Sequence, residues 1–552
     1  MKQVSMRTRI VSLGVSLLLS ASVIAAAPPA KAADVNFVCF PGMTLKQCSG
    51  DLGNGLGTYE VQLPLNFNGT LLLFFHGIRF GKNTPVLQSL KAAGIDYSSD
   101  PSYSSVKIPG LGDAWVANGR AELAPGGSDA LAKAMMAKGY GVAGLGYGPN
   151  QSWAVQEALA AGQAFVKMAT SGGVFGMKRL IVWSESMGTL PALKLAETTP
   201  GISGVYSTCP TPPSTEIAFA QALDALFVLK TLGGLDLKLT YSAGPAGLQE
   251  AYGDLNKVLG FLGTIRADAN AVASTKLLSR NVVLLAGLLA GLPEASATYD
   301  GVTTGGPLAA SQLNSGAAMA ENIGAAALLA TILRFDVESR IRVAGGIATG
   351  SANFTDNVNT SYTDLLSDEQ RAQYETFLNL GGTDVLDTML GALDASKGNA
   401  TLRYAANAAA VAAAKATFPE YTGVAKVPTL LIGYEVDNVT QAGQVARYVD
   451  ATRAATKKGQ KPLAVGVYAA APADGWTVLG DAAATAKKRT SGIGHCGGSS
   501  SLTGAQHLAL VPALENWIRK PKSGPVVIRL ARADAALGFQ RDPDWEPAPV
   551  KR

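Results

Sequence analysis

"VWSESMGTLPAL", Val182 to Leu193, is the stretch whose reading decides the fold. An apolar run that reads as a strand breaks at a serine-bearing turn, and a helical stretch follows at once. A serine at such a turn is held in a strained backbone conformation with its hydroxyl clear of the sheet. The pattern for this turn is G-x-S-x-G, because strand and helix pass so closely that the flanking positions must be small. Two serines compete for the role. Two residues before Ser184 stands Val182, which is bulky and β-branched, whereas Ser186 is flanked by Ser184 and Gly188. Serine is only slightly larger than glycine, so Ser186 is the candidate nucleophile.

Working outward, short and nearly continuous apolar runs predict buried parallel strands. They are "GTLLLFFHG" (Gly69 to Gly77), "GYGVAGLGY" (Gly139 to Tyr147), "RLIVWSES" (Arg179 to Ser186), "GVYSTC" (Gly204 to Cys209), "VPTLLIGYE" (Val427 to Glu435) and "LAVGVYAA" (Leu463 to Ala470). Helical periods separate them, as in Ser152 to Thr170 and in "LPALKLAETT" after the turn. That rhythm predicts an α/β architecture with a doubly wound, mostly parallel sheet. Between Cys209 and Val427 the chain is instead rich in Ala, Leu and Gly at helical spacing, opening on the stiff "PTPPS". This segment predicts a large helical cap inserted between two sheet strands, with a separately folded second domain as the alternative.

A serine hydroxyl needs a base, and histidine has the right pKa near neutrality. The chain holds His76, His495 and His507 and no other histidine. His507 lies in a helical pattern and reads as structural. His76 closes a buried strand, and His495 sits in the Gly-rich "SGIGHCGG" late in the chain, which suits a base. The base needs an acid to hold its tautomer. Asp437 and Glu435 both lie at the end of "LLIGYE"; Asp437 is preferred because it falls in the loop beyond the strand. Two N–H donors must meet the oxyanion. Met187, at the start of the helix, is expected to give one, and Ile78 or Gly77 the other, with His76 shaping that loop.

The first 33 residues carry Lys2, Arg7 and Arg9, an apolar run from Val11 to Ala27, and small residues at Ala30, Ala32 and Ala33. That is the pattern of a cleaved secretory signal. With Lys31 it holds four of the positive charges of a chain whose net charge is +5, so the remainder is close to neutral. No basic run elsewhere suggests nucleic acid. The longest later apolar run, Val282 to Leu292, is too short for a bilayer, so stable membrane insertion is not expected. The expected location is secreted or periplasmic.

Four cysteines in an exported chain favour disulfides. Cys39 and Cys48 are close enough in sequence to close a small loop, which leaves Cys209 and Cys496, subject to geometry. No Cys/His cluster points to a metal, and no motif calls for a cofactor. The expected organisation is a signal over residues 1–33, sheet segments over 34–210 and 426–520, the cap over 211–425, and a tail over 521–552 that ends loosely.

Together "FFHG", "SESMG", "LLIGYEVDNV" and "GIGHCGG…LENW" resemble the α/β-hydrolase superfamily, and they span about half of the chain beyond the signal. The resemblance implies the order Ser186, Asp437, His495 for nucleophile, acid and base. Cys496 beside the histidine resembles tannase-like and feruloyl esterases, in which it pairs with a cysteine preceding the serine. Here Glu185 stands in that place, so pairing with Cys209 is the alternative. The expected activity is that of an exported serine hydrolase acting on a small-molecule, lipid or polymer ester. A peptidase or amidase with the same triad is the next reading, and a non-catalytic binding module the third.

Overall fold

The computed structural model describes residues 39–41, 45–81, 105–108, 112–117, 121–147, 152–171, 176–267, 277–291, 326–368, 370–371, 385–434, 437, 439–469, 495–496, 504–521, 547 and 551–552. The candidate signal and Glu435 lie outside them.

The strands in chain order are β1 (Cys39–Pro41), β2 (Leu45–Asp51), β3 (Gly57–Pro64), β4 (Thr70–Phe75), β5 (Phe80–Gly81), β6 (Ser105–Ile108), β7 (Gly112–Ala117), β8 (Gly141–Tyr147), β9 (Arg179–Glu185), β10 (Gly204–Thr208), β11 (Thr429–Tyr434) and β12 (Ala464–Ala469). Nine of them form one sheet in the order β1-β2-β3-β8-β4-β9-β10-β11-β12, and β5-β7-β6 form a small second sheet. From β8 to β12 every neighbour is parallel, while β1, β2 and β3 add antiparallel pairs at one edge. All six strands read from the sequence are present, and the sheet is doubly wound as expected.

The helices used below are α1 (Asp129–Ala137), α2 (Val155–Ser171), α3 (Thr189–Thr198), α4 (Thr215–Thr231), α5 (Gly244–Ala267), α6 (Leu277–Leu289), α7 (Arg334–Gly345), α8 (Val385–Asp394), α9 (Ala408–Thr417), α10 (Gly443–Ala455) and α11 (Gly504–Arg519). Side-chain alternation divides the sheet between two cores. Leu72 and Phe74 of β4 face α1 and α11, whereas Leu71, Leu73 and Phe75 face the side of α2, α3 and α10. A strand buried on both faces must read as a continuous apolar run, which is why β4 was legible.

The chain leaves the sheet after β10 and returns at β11, and α4 to α9 fill the excursion. The cap is therefore inserted between two hydrogen-bonded neighbours, since Val205 to Thr208 pair with Thr429 to Ile432. Its apolar side chains share one continuous core with α2 and α3 and with one face of the sheet. Ser214 caps α4, its hydroxyl accepting from the Ile217 N–H at 3.2 Å. Trp153 Nε1 donates to Thr215 Oγ1 at 2.8 Å and fixes the start of the cap to the loop before α2.

One expectation needs correction. The end of the tail is not loose: the Arg552 guanidinium donates to both oxygens of Asp224 on α4, at 2.6 and 3.0 Å. Asp224 is fully buried, and a buried carboxylate without a partner would be strongly unfavourable.

Candidate active site

β9 lies in the middle of the sheet, between β4 and β10, and its end carries the turn. Ser186 follows the last strand residue and has φ 51°, the left-handed conformation that costs a non-glycine residue energy. A short helical turn, Ser186–Gly188, leads directly into α3. Gly188 shows why the crossing needs a small residue, because a Cβ there would sit 2.4 Å from the Phe75 carbonyl oxygen and 2.5 Å from that of His76. Ser184 is buried, and its hydroxyl lies 2.5 Å from that of Ser207, its register partner on β10. The serine that replaces glycine therefore ties two central strands together.

The three residues in sequence order meet in space. Ser186 Oγ is 2.7 Å from His495 Nε2, and His495 Nδ1 is 3.1 Å from Asp437 Oδ1. Asp437 is completely buried. Its Oδ1 also accepts from the backbone N–H groups of Val439 and Thr440, at 2.9 and 2.8 Å. Its Oδ2 accepts from the Cys496 N–H at 2.9 Å and the Thr440 hydroxyl at 3.0 Å. Such a saturated carboxylate is held rigidly, as an acid that orients a histidine must be.

A disulfide joins Cys209, just past β10, to Cys496, beside His495, with the Cα atoms 5.2 Å apart. Both residues have positive φ, 46° and 49°, so with Ser186 three backbone corners of the site are left-handed. Cys209 Sγ accepts the Ser186 N–H at 3.3 Å. The bridge thus touches the backbone of Ser186 and anchors the neighbour of His495. At the other end of the chain, Cys39 and Cys48 are cross-strand partners and Cys48 is disulfide-bonded.

Gly77 lies just past β4, and a Cβ there would approach Ser186 Cβ to 3.0 Å, so this loop packs against Ser186. Ile78 and Met187 line the same cleft as Ser186. Met187 lies in the first turn of a helical segment, where N–H groups lack intrahelical acceptors. His76 points away into the core: its Nδ1 bonds the Gly77 carbonyl at 2.8 Å and its ring stacks on Tyr147 with centroids 3.9 Å apart. Burial pushes its pKa down to about 4, against the pull of Glu122, so it is neutral at pH 7. His507 lies under the sheet, 2.8 Å from the Tyr206 hydroxyl, and burial lowers its pKa to about 3.

Sequence reading missed a buried ion cluster beneath the loop. Arg79 donates to both oxygens of Glu122, at 2.5 and 2.6 Å, and to Glu185 at 3.1 Å. A fourth bond runs from Arg79 Nη1 to the Ile78 carbonyl at 2.9 Å. Glu185, one residue before Ser186, also accepts the Gly126 N–H at 3.1 Å. Burial pushes the Glu185 pKa up, partly countered by Arg79. One guanidinium therefore ties the loop after β4 to the turn after β9. The partners are 43 and 106 residues apart, so no local pattern announces them.

The cleft above Ser186 is walled by Ile78, Trp153, Pro212 and Leu329, with small residues such as Ala218 and Ala290 between them. Among the described residues no charged side chain lines it. Within those residues no helix is long and apolar enough to cross a membrane. A serine, a histidine and a buried carboxylate in this relay can deprotonate the hydroxyl for attack on a carbonyl carbon.

No family model matches the chain, and no curated protein matches it. Solved structures do. They include feruloyl esterase B from Aspergillus oryzae, at 11% identity over 86% of this chain and 82% of that one, with a TM-score of 0.31. Tannin acyl hydrolase from Aspergillus niger is 13% identical over 79% and 76%, with a TM-score of 0.28. The rice cell wall degrading esterase LipA from Xanthomonas oryzae is 10% identical over 80% and 86%, with a TM-score of 0.30. Superpositions this loose carry neither fold nor activity; the fold rests on the strand order and connectivity described above.

Proposed function

We propose that this chain, an α/β-hydrolase by its sheet and its strand-turn-helix, is an exported serine hydrolase that cleaves carboxylic esters through an acyl-enzyme. The carrying observation is the relay from Ser186 Oγ through His495 to buried Asp437, at 2.7 and 3.1 Å, on a serine with φ 51°. In this reading His495 takes the hydroxyl proton as Ser186 Oγ bonds to the carbonyl carbon. Backbone N–H groups of Met187 and of Ile78 or Gly77 receive the oxyanion. The protonated histidine then gives its proton to the departing alcohol, and water repeats the sequence to release the acid. Asp437 holds the imidazole in place and stabilises the imidazolium. The apolar cleft wall suits an acyl or alkyl group, and the cap covers it.

The test is hydrolysis of p-nitrophenyl esters from acetate to palmitate by the protein lacking its signal, beside Ser186→Ala. Wild type is expected to turn over at least one ester, and the variant to lose on the order of a thousandfold or more in kcat. Equal rates in the two proteins reject Ser186 as nucleophile. Activity confined to a parallel anilide series makes the enzyme an amidase instead.

A further inference from the structure

Three buried glutamines lie on the cap helix α4 and on the loop and helix that follow Asp437. Gln221 comes from α4, Gln441 from that loop and Gln444 from the start of α10, and each is at least nine-tenths buried. Gln444 Nε2 donates to Gln221 Oε1 at 3.2 Å. Gln221 Nε2, Gln441 Oε1 and Gln444 Oε1 then have neither solvent contact nor a hydrogen-bond partner among the described residues. Gln221 and Gln441 line the cleft that holds Ser186.

Stability does not account for this arrangement. A buried polar atom left unpaired costs about 1–3 kcal/mol, and an apolar side chain of the same shape would avoid that cost. Apart from Ser186, Thr211 and Thr440, the rest of the wall takes that apolar course, with Ala218 and Ala222 one turn or less from Gln221 on the same helix. The terminal torsion of glutamine is soft, so an amide can turn its free atom towards the cleft without leaving its rotamer.

The matching group must be neutral, since no charged residue lines the cleft among those described. It must also both accept and donate, because one free amide atom is an N–H group and the others are oxygens. A hydroxyl does both, and it does so whichever way the amides are turned. We propose that Gln221 and Gln441 select esters that carry a free hydroxyl near the scissile bond. This rests on the ester-hydrolase reading and narrows its substrate class.

Two matched substrate pairs test it: methyl 3-hydroxybutanoate against methyl butanoate, and 3-hydroxypropyl acetate against propyl acetate. The readout is the ratio of kcat/KM within a pair, for wild type, Gln221→Leu and Gln441→Met, each checked for a cooperative melt. In wild type one pair is expected to favour the hydroxylated member by at least about tenfold, because a site built for a hydroxyl rejects the analogue without it. The ratio falls towards unity in the variants. The pair that responds places the hydroxyl on the acyl or the alcohol side. A wild-type ratio near unity in both pairs overturns the inference without needing any variant to fold, and means that cleft water serves the amides. A preference that survives both substitutions overturns it equally. In either case Ser186-dependent turnover leaves the ester-hydrolase reading standing, whereas no turnover of any ester removes both.

Discussion

Gly188, at the turn after β9, and Gly253, within cap helix α5, are the same residue under opposite constraints. A Cβ at Gly188 would run into two backbone carbonyls, whereas one at Gly253 would meet nothing within 4 Å. The same contrast holds for the buried arginines. Arg79 binds Glu122 and Glu185 around the turn that carries Ser186. Arg334 of α7, fully buried in the cap, binds Glu338 at 2.9 Å, Thr355 Oγ1 at 2.7 Å and the Asn353 side chain. Around Ser186, backbone and charge are held by contacts between the loop after β4 and the turn after β9. In the cap, similar groups staple helices to loops, and positions such as Gly253 leave room for a larger side chain, although Gly247 near the start of the same helix does not.

The sharpest break between the two regions is the glycine pair. Gly188→Ala is expected to lose about 3 kcal/mol or more, since the clash is with backbone that cannot rotate away. Gly253→Ala is expected to be neutral or to gain up to about 1 kcal/mol from helix propensity. Denaturant unfolding of both variants decides, and similar losses at the two sites would erase the distinction.

This contrast also explains what was legible in the sequence. β4, β8, β9, β10 and β11 announced themselves because both faces are buried, so the apolar runs are unbroken. β3 did not: in "GTYEVQLP" buried and half-buried residues alternate, as on an antiparallel strand with one face in the core. β2 reads "LKQCSGD", too polar for a strand until its pairing with β3 is known. Ser186, Asp437 and His495 could be picked out because each stands at a punctuation point, a turn or loop just past a strand or before the last helix. Arg79, Glu122 and Glu185 could not, because a charged residue in a sequence reads as solvent-facing, and only the fold shows that three of them share one buried space.

Arginine substitutions sharpen the comparison into a split between activity and stability. Arg79→Met removes the bond to the Ile78 carbonyl and leaves two buried acids, one just before Ser186. It is expected to lower kcat roughly ten- to a hundredfold, as misplacing a loop around the reacting atoms does, with a smaller change in KM. Arg334→Met leaves Glu338 buried without its cation and is expected to cost about 3–5 kcal/mol in stability, with kcat of the folded fraction little changed. Steady-state kinetics alongside denaturant melts of both variants separate the two outcomes. A kcat loss in Arg334→Met as large as that in Arg79→Met would mean that the cap's staples also aim the site.

The smallest expected effect concerns acid. Among the three histidines, His76 and His507 lie on the sheet side and none lies in the cap segment. Burial holds His507 neutral, with its pKa lowered from 6.5 to about 3, and His76 likewise at about 4. In the unfolded chain both take up a proton near pH 6.5, so between the two values the unfolded state binds more protons. Their contribution to stability is therefore complete above about pH 6.5 and is lost progressively as the pH falls towards the folded values. His507→Gln can keep a hydrogen bond to the Tyr206 hydroxyl and has nothing to titrate in this range. Its unfolding midpoint should consequently fall less steeply than that of wild type between pH 7 and pH 5. Parallel slopes would show that protonation of His507 is not coupled to unfolding, and that the sheet's acid sensitivity comes from its other buried groups.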